Sequence, residues 1–417
     1  MLLYFLYGAV GICLGAGNLE AMFIMQDEFN VVAATLQIIQ TGRLVPSLLR
    51  PVLGSHVDGL GTAEPMLRTG LVILFVSTAA LYSRYTTPSL VTFGTMLMAR
   101  SLGALICDVG LSFVMLASID RRHKGQVQSR CKAAHATGAF GGMLLSLLTS
   151  RDGTGVPPRT TYATIAAVAA GTWVLLKFRG HVLPTKPPPQ EASPKIMFPV
   201  GTIRLITMWG IFVMSTGVCV EGAFDFYITK PAADGGGGIS PSHIVIVMFA
   251  AELSAAIGAV VFSKFVPYTR TETLPNIAHL MAATSATLQM TIVRTQGAPR
   301  IAPPLVSVII VGILRTVAYN ILELQFIVEI SERAREEHAT TILNGALALV
   351  ILMGVVCNFF GAWVEALSGV GLDGDFSPLR LLHASDAAYT LLLSVPTTLF
   401  IGHIISKRKL TELSRDN

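Results

Sequence analysis

The sequence predicts an all-α membrane protein of about twelve transmembrane helices, arranged as two six-helix, pseudo-symmetric bundles. Three observations predict it. Of 417 residues, 52% are hydrophobic and only 13% are charged, whereas a soluble domain carries roughly 25% charged residues. The apolar residues fall into repeated stretches of spanning length. A polar, proline-rich segment divides these stretches into two sets of six. Lipid around the chain removes the need for a charged coat.

Each expected span is a mostly apolar stretch of about 20 residues, enough to cross a hydrocarbon core. The first six are residues 2–25, 30–53, 67–83, 89–116, 131–150 and 160–178. The first of these lacks a basic leader and carries Asn18 and Glu20, so it reads as a helix of the bundle and not as a signal peptide. Residues 184–194, with five prolines, read as an extended linker. The second six are 200–229, 241–265, 274–293, 303–330, 340–367 and 384–404. The domains expected are therefore 1–178, a cytoplasmic linker at 179–199, and 200–417. Six spans, a linker and six spans is the layout of a major facilitator protein, in which each half is an inverted pair of three-helix units.

Basic residues orient the chain. With both termini cytoplasmic, the inner segments hold 19 Lys and Arg and the outer loops hold 7. The net charge of +5 is spread along the chain and implies no nucleic-acid face. The five cysteines are far apart and show neither zinc spacing nor a disulfide framework. No metal or cofactor is expected.

Ionisable side chains at membrane depth cost a few kcal/mol each and face protein or water. Helix 4 carries Arg100 and Asp108, and helix 10, its counterpart, carries Arg315 and Glu323. Each pair is eight residues apart, about 12 Å along an ideal helix, too far for direct pairing. Glu20 in helix 1 and Glu221 in helix 7 stand at matching positions. Tyr7, Asn18, Glu20, Gln37, Arg100, Asp108, Trp209, Glu221, Arg315, Asn320 and Glu323 are the candidate lining of a central cavity. The competing reading makes the charges interhelical salt bridges. Glu221 and Asp225 share a helix face at i and i+4. Two close carboxylates in a low dielectric do not both ionise cheaply, which makes them proton-coupling candidates. Glu252 and Glu365 read as structural.

Residues 54–68 have the glycine–acid–arginine character of the facilitator loop between helices 2 and 3. Asp58 there is expected to cap or salt-bridge a neighbouring helix end when the inner side is shut. Arg50, Arg68, Arg121, Arg122, Arg130, Arg333 and Arg335 suit the same gate, or only obey the charge bias.

Several segments resemble the folate–biopterin transporter family, a branch of the major facilitators. They are Tyr4-Phe5-Leu6-Tyr7-Gly8, Phe23-Ile24-Met25-Gln26-Asp27, and Pro46-Ser47-Leu48-Leu49-Arg50-Pro51-Val52-Leu53-Gly54 followed by Asp58. Asp108-Val109, Gln128-Ser129-Arg130-Cys131 with Gly138, and Ala339-Thr340 with Asn358 and Gly361 continue the likeness. Ser47, Gln26 and Ser112 stand where the family has tryptophan, lysine and a second acid, so the chain reads as a divergent member. The resemblance implies a symporter-type carrier of a folate or pterin, working as a monomer by alternating access. An aromatic face and a carboxylate suit a pteridine, and Arg100 or Arg315 suits a glutamate tail.

A facilitator for another solute, such as S-adenosylmethionine, an amino acid, a nucleoside or a drug, fits the same residues. A transport-inactive scaffold or receptor is the rival from another class. An enzyme is not expected, since no nucleophile elbow, metal spacing or catalytic dyad is present. The sequence leaves open whether the plasma membrane or an organelle membrane holds the protein.

Overall fold

The computed structural model describes residues 1–27, 29, 31–83, 89–118, 125–148, 159–186, 203, 206–207, 210, 221–265, 273–293, 305–333, 338–371 and 375–392. Among them there is no strand. The helices are α1 (Leu2–Asp27), α2 (Ala33–Gly42), α3 (Arg50–Leu60), α4 (Glu64–Ser83), α5 (Leu90–Ala117), α6 (Gln126–Leu148) and α7 (Arg159–Arg179). A second set comprises α8 (Glu221–Thr229), α9 (Pro241–Phe265), α10 (Thr273–Ile292), α11 (Leu305–Arg333), α12 (Ala339–Ser368) and α13 at 377–392.

Local sequence explains several ends. Ser89 caps α5 by accepting from the Thr92 N–H at 3.2 Å, satisfying one of the first-turn donors. The expected span at 30–53 is corrected: its apolar run is broken into α2, a 3-10 turn at Val45–Leu49, and α3. Pro46 and Pro51 cause the break. Proline removes a ladder donor inside a helix but is tolerated in a first turn, which is where Pro51 stands in α3. Gly61, at φ 65°, ends α3 and returns its N–H to Val57 O at 3.1 Å.

Six described helices are long and apolar enough to cross a membrane: Glu64–Ser83, Leu90–Ala117, Thr160–Val182, Ser242–Phe262, Leu305–Ser331 and Ala339–Ser368. They coincide with the expected spans 3, 4, 6, 8, 10 and 11. The helix α6 is long enough but too polar in its opening turns, which carry Gln126, Gln128, Arg130, Lys132 and His135.

In lipid, helices associate by close packing and hydrogen bonds, with small residues where backbones meet. The α1–α6 crossing shows this. A Cβ on Gly138 would lie 2.0 Å from Gly8 O, and one on Gly142 would lie 2.5 Å from Ile12 O. The helix α4 packs on α5 and α7, and α11 packs on α9 and α10. Two seams join the first set to the second: α6 lies on α9, and α2 with α3 lies on α12. Phe140 and Phe249 stack across the α6–α9 seam, centroids 4.0 Å apart. Buried apolar residues form one large cluster around Val57, Leu67, Met115 and Leu343, and another around Leu36, Phe93, Phe224 and Val245. Cys13, Cys107 and Cys131 are buried free thiols. Cys357 is disulfide-bonded, which the cysteine spacing did not predict.

Candidate functional site

The break in the second span places Arg50 at the start of α3, facing α5. Its Nη2 donates to Asp108 Oδ2 at 2.5 Å, and its Nη1 donates to Asn344 Oδ1 of α12 at 3.1 Å. One guanidinium thus joins two helices of the first set and one of the second. On the other side of the junction, Lys132 of α6 is ion-paired with Glu323 of α11. The Lys132 charge also acts on Asp108 and on Glu252 of α9. His135, one turn along α6 from Lys132, feels Lys132, Asp108 and Glu323. The result is a belt of ionic groups from α3 through α5 and α6 to α11 and α9.

The belt is not sealed. The Arg50, Asp108, Lys132 and Glu323 side chains retain 13%, 34%, 24% and 21% exposure. Dry burial of such pairs costs several kcal/mol per ion in desolvation; residual exposure lowers that cost and leaves the groups open to exchange partners. At the Asp58 end of α3, Asp58 Oδ2 accepts from Thr341 N at 2.8 Å and Thr341 Oγ1 at 2.7 Å. It thereby caps the first turn of α12, where unsatisfied N–H groups and the helix dipole favour an anion. Near the same end, Gln128 donates to Ser331 Oγ at 3.2 Å. At the far end of that seam, Gln37 Oε1 accepts from Gly222 N at 2.9 Å while its Nε2 donates to Asn358 O at 3.3 Å.

The predicted lining is thus divided. Asp108 and Glu323 belong to the belt, and Gln37 to the seam. Arg100 is turned into the first set, 1% exposed, donating to Cys13 O at 2.6 Å and Leu14 O at 3.1 Å of α1. Tyr7 is buried, with its hydroxyl 3.8 Å from Met115 Sδ. Asn320 donates back to Thr316 O of its own helix at 2.8 Å. Arg315 is half-buried and its charge acts on the buried His383 ring. Asp225 is half-buried on α8. The side chains of Asn18, Glu20 and Glu221, and all of Trp209, lie outside the described residues.

Among the gating candidates, Arg50 and Asp58 touch α12. Arg68 pairs with Glu64 at 2.5 Å on α4 and reaches Leu176 O of α7 at 3.5 Å. Arg130 is exposed. Arg121, Arg122, Arg335 and the Arg333 side chain lie outside the described residues. Sequence reading missed Lys132 as more than a basic residue near the inner face, and it missed His135, Asn344 and Thr341. The available signal was Lys132 and His135 at i and i+3, one face of a helix with an unusually polar start.

No protein-family model matches the chain, and no curated protein matches it. Two of the solved structures that are similar in fold are forms of one transporter. One is a mutant form of the nucleoside transporter NupG, at TM-score 0.67 and 12% identity, covering 96% of this chain and 98% of that one. The other is NupG itself, at TM-score 0.64 and 13% identity, with the same coverage. The chain therefore shares the all-helical fold of these two structures. The resemblance to folate–biopterin transporters has no counterpart in these comparisons.

Proposed function

We propose that the protein is a secondary-active transporter that moves a small organic solute between two six-helix halves by alternating access, with a nucleoside-type solute ahead of a folate or pterin. The observation that carries this is the largely buried but unsealed ionic belt at the junction of α3, α5, α6, α9 and α11, bridged between the two sets by Lys132–Glu323 and Arg50–Asn344. A scaffold gains little from costly charges at such a junction, whereas a carrier uses them to trade protein contacts for solute contacts. A nucleoside presents hydroxyl donors and base edges, which paired carboxylates and cations satisfy. The fold shared with the nucleoside transporter NupG favours that class, while the folate reading rests on resemblance alone.

The charge bias assigns the halves to 1–178 and 200–417, with both termini and the 179–199 linker on the cytoplasmic side, and so makes the Asp58 end the inner one. The test is uptake by proteoliposomes of labelled uridine, adenosine, folic acid, biopterin and S-adenosylmethionine, with and without a proton gradient. Saturable nucleoside uptake supports the reading. Uptake of folate or biopterin alone replaces its solute, and no uptake of any solute overturns it.

A further inference from the structure

Immediately after α7 the chain does not leave the bundle. Residues 180–186 fold back across the Asp58 end of the first set. Gly180 lies against Glu64, where a Cβ would come within 2.5 Å of the carboxyl carbon. Leu183 is buried, 6% exposed. Lys186 donates its main-chain N–H to Gly61 O at 2.9 Å, pinning this strap to the residue that terminates α3. Its ammonium lies 5.9 Å from the centroid of the Phe113 ring.

From that position the Lys186 charge acts on the Asp58 carboxyl. Asp58 is 5% exposed and spends one oxygen on Thr341 of the second set. A carboxylate so placed is costly without a nearby cation. The two bonds from Thr341 are its main compensation, and among the described residues it forms no ion pair within 4.0 Å. Lys186, whose main chain is pinned to Gly61 three residues beyond Asp58, adds a smaller, longer-range cationic contribution, and it opens the segment that leads to the second set.

We propose that Lys186 is a positioning residue of the α3–α12 gate: standing on the strap, it holds the Asp58 carboxylate on the first turn of α12. The strap that leads into the linker thereby sets how firmly this seam shuts. The proposal concerns the gate of the transporter reading above, but its test needs no solute.

Spin labels on cysteines at Phe178 and Ile277, exposed at 68% and 48%, would report the separation of α7 and α10 in the reconstituted full chain with its buried thiols replaced. Lys186→Gln, which keeps the main-chain bond to Gly61, should raise the population at the longer distance by about threefold or more. Lys186→Arg should restore the wild-type distribution. In an Asp58→Asn background, Lys186→Gln should add nothing, because the charge on which Lys186 acts is gone. Wild-type distances in Lys186→Gln overturn the proposal. So does an equal shift with and without Asp58, which would assign the effect to the Phe113 contact. If all variants share the wild-type distribution while nucleoside uptake persists, this inference fails and the transporter reading stands.

Discussion

Lys132 on α6 and Glu323 on α11 are ion-paired across the junction of the two helix sets, with each side chain more than three-quarters buried. Removing one partner leaves a poorly hydrated charge facing Asp108 and Glu252 on one side or His135 on the other. Lys132→Met and Glu323→Gln should each lower stability by about 1–3 kcal/mol, discounted from the fully buried case for residual exposure. The double variant should melt closer to wild type than either single one, as read by thermal unfolding in detergent. Uptake should fall in all three. Strict additivity of the two losses would show that the residues do not act as a pair.

How far this belt was legible in the sequence depends on what each residue's neighbours in the chain reveal. Asp108 and Glu323 stood out because a carboxylate in an apolar run is rare. Their partners did not, because Arg50 is 58 positions from Asp108 and Lys132 is 191 from Glu323. Arg100 and Asp108 gave the same signal, a charge in one apolar helix, yet their faces differ and only packing reveals it. Apolar length located α4, α5, α7, α9, α11 and α12. It failed at the α2–α3 break, where the prolines carried more information than the hydrophobicity.

Glycine at position 138 is set by backbone contact. A Cβ there would lie 2.0 Å from the main-chain oxygen of Gly8, and a main-chain atom within a helix cannot swing aside as a side chain does. Gly138→Ala should therefore force α1 and α6 apart and cost about 1–3 kcal/mol or more. Gly171→Ala in α7 is the control, with nothing within 4 Å of its Cβ position. Melting in detergent should fall for the first variant and stay level or rise for the second.

Arg100 separates a structural role from solute binding. Its guanidinium, 1% exposed, bonds two consecutive carbonyls of α1, those of Cys13 and Leu14. Both bonds come from one nitrogen, Nη2, and lysine keeps the charge but places it on a shorter, flexible stem without the rigid guanidinium plane that fixes this donor. Arg100→Lys should lower stability by about 1–3 kcal/mol while leaving the KM for the transported solute within about twofold. A large rise in KM with unchanged melting would return Arg100 to the solute site.

Arg50 has two arms with different duties. One holds Asp108 at 2.5 Å within the first set, and the other reaches Asn344 at 3.1 Å in α12. In the proposed alternating-access cycle the first bond stays within the first set, where α3 packs on α5. The second must break whenever the seam opens. Arg50→Lys preserves a point charge for Asp108 but cannot present two donors at a fixed spacing. The expected outcome is a modest change in melting, under about 1 kcal/mol, with a severalfold change in kcat at nearly constant KM, since only the equilibrium between open and shut seams is altered. Asn344→Ala should reproduce the kinetic change by removing the acceptor, and adding it to Arg50→Lys should have little further effect. If Asn344→Ala leaves kcat untouched, the Arg50–Asn344 bond takes no part in the cycle, and the gate at this end rests on Asp58 and Thr341.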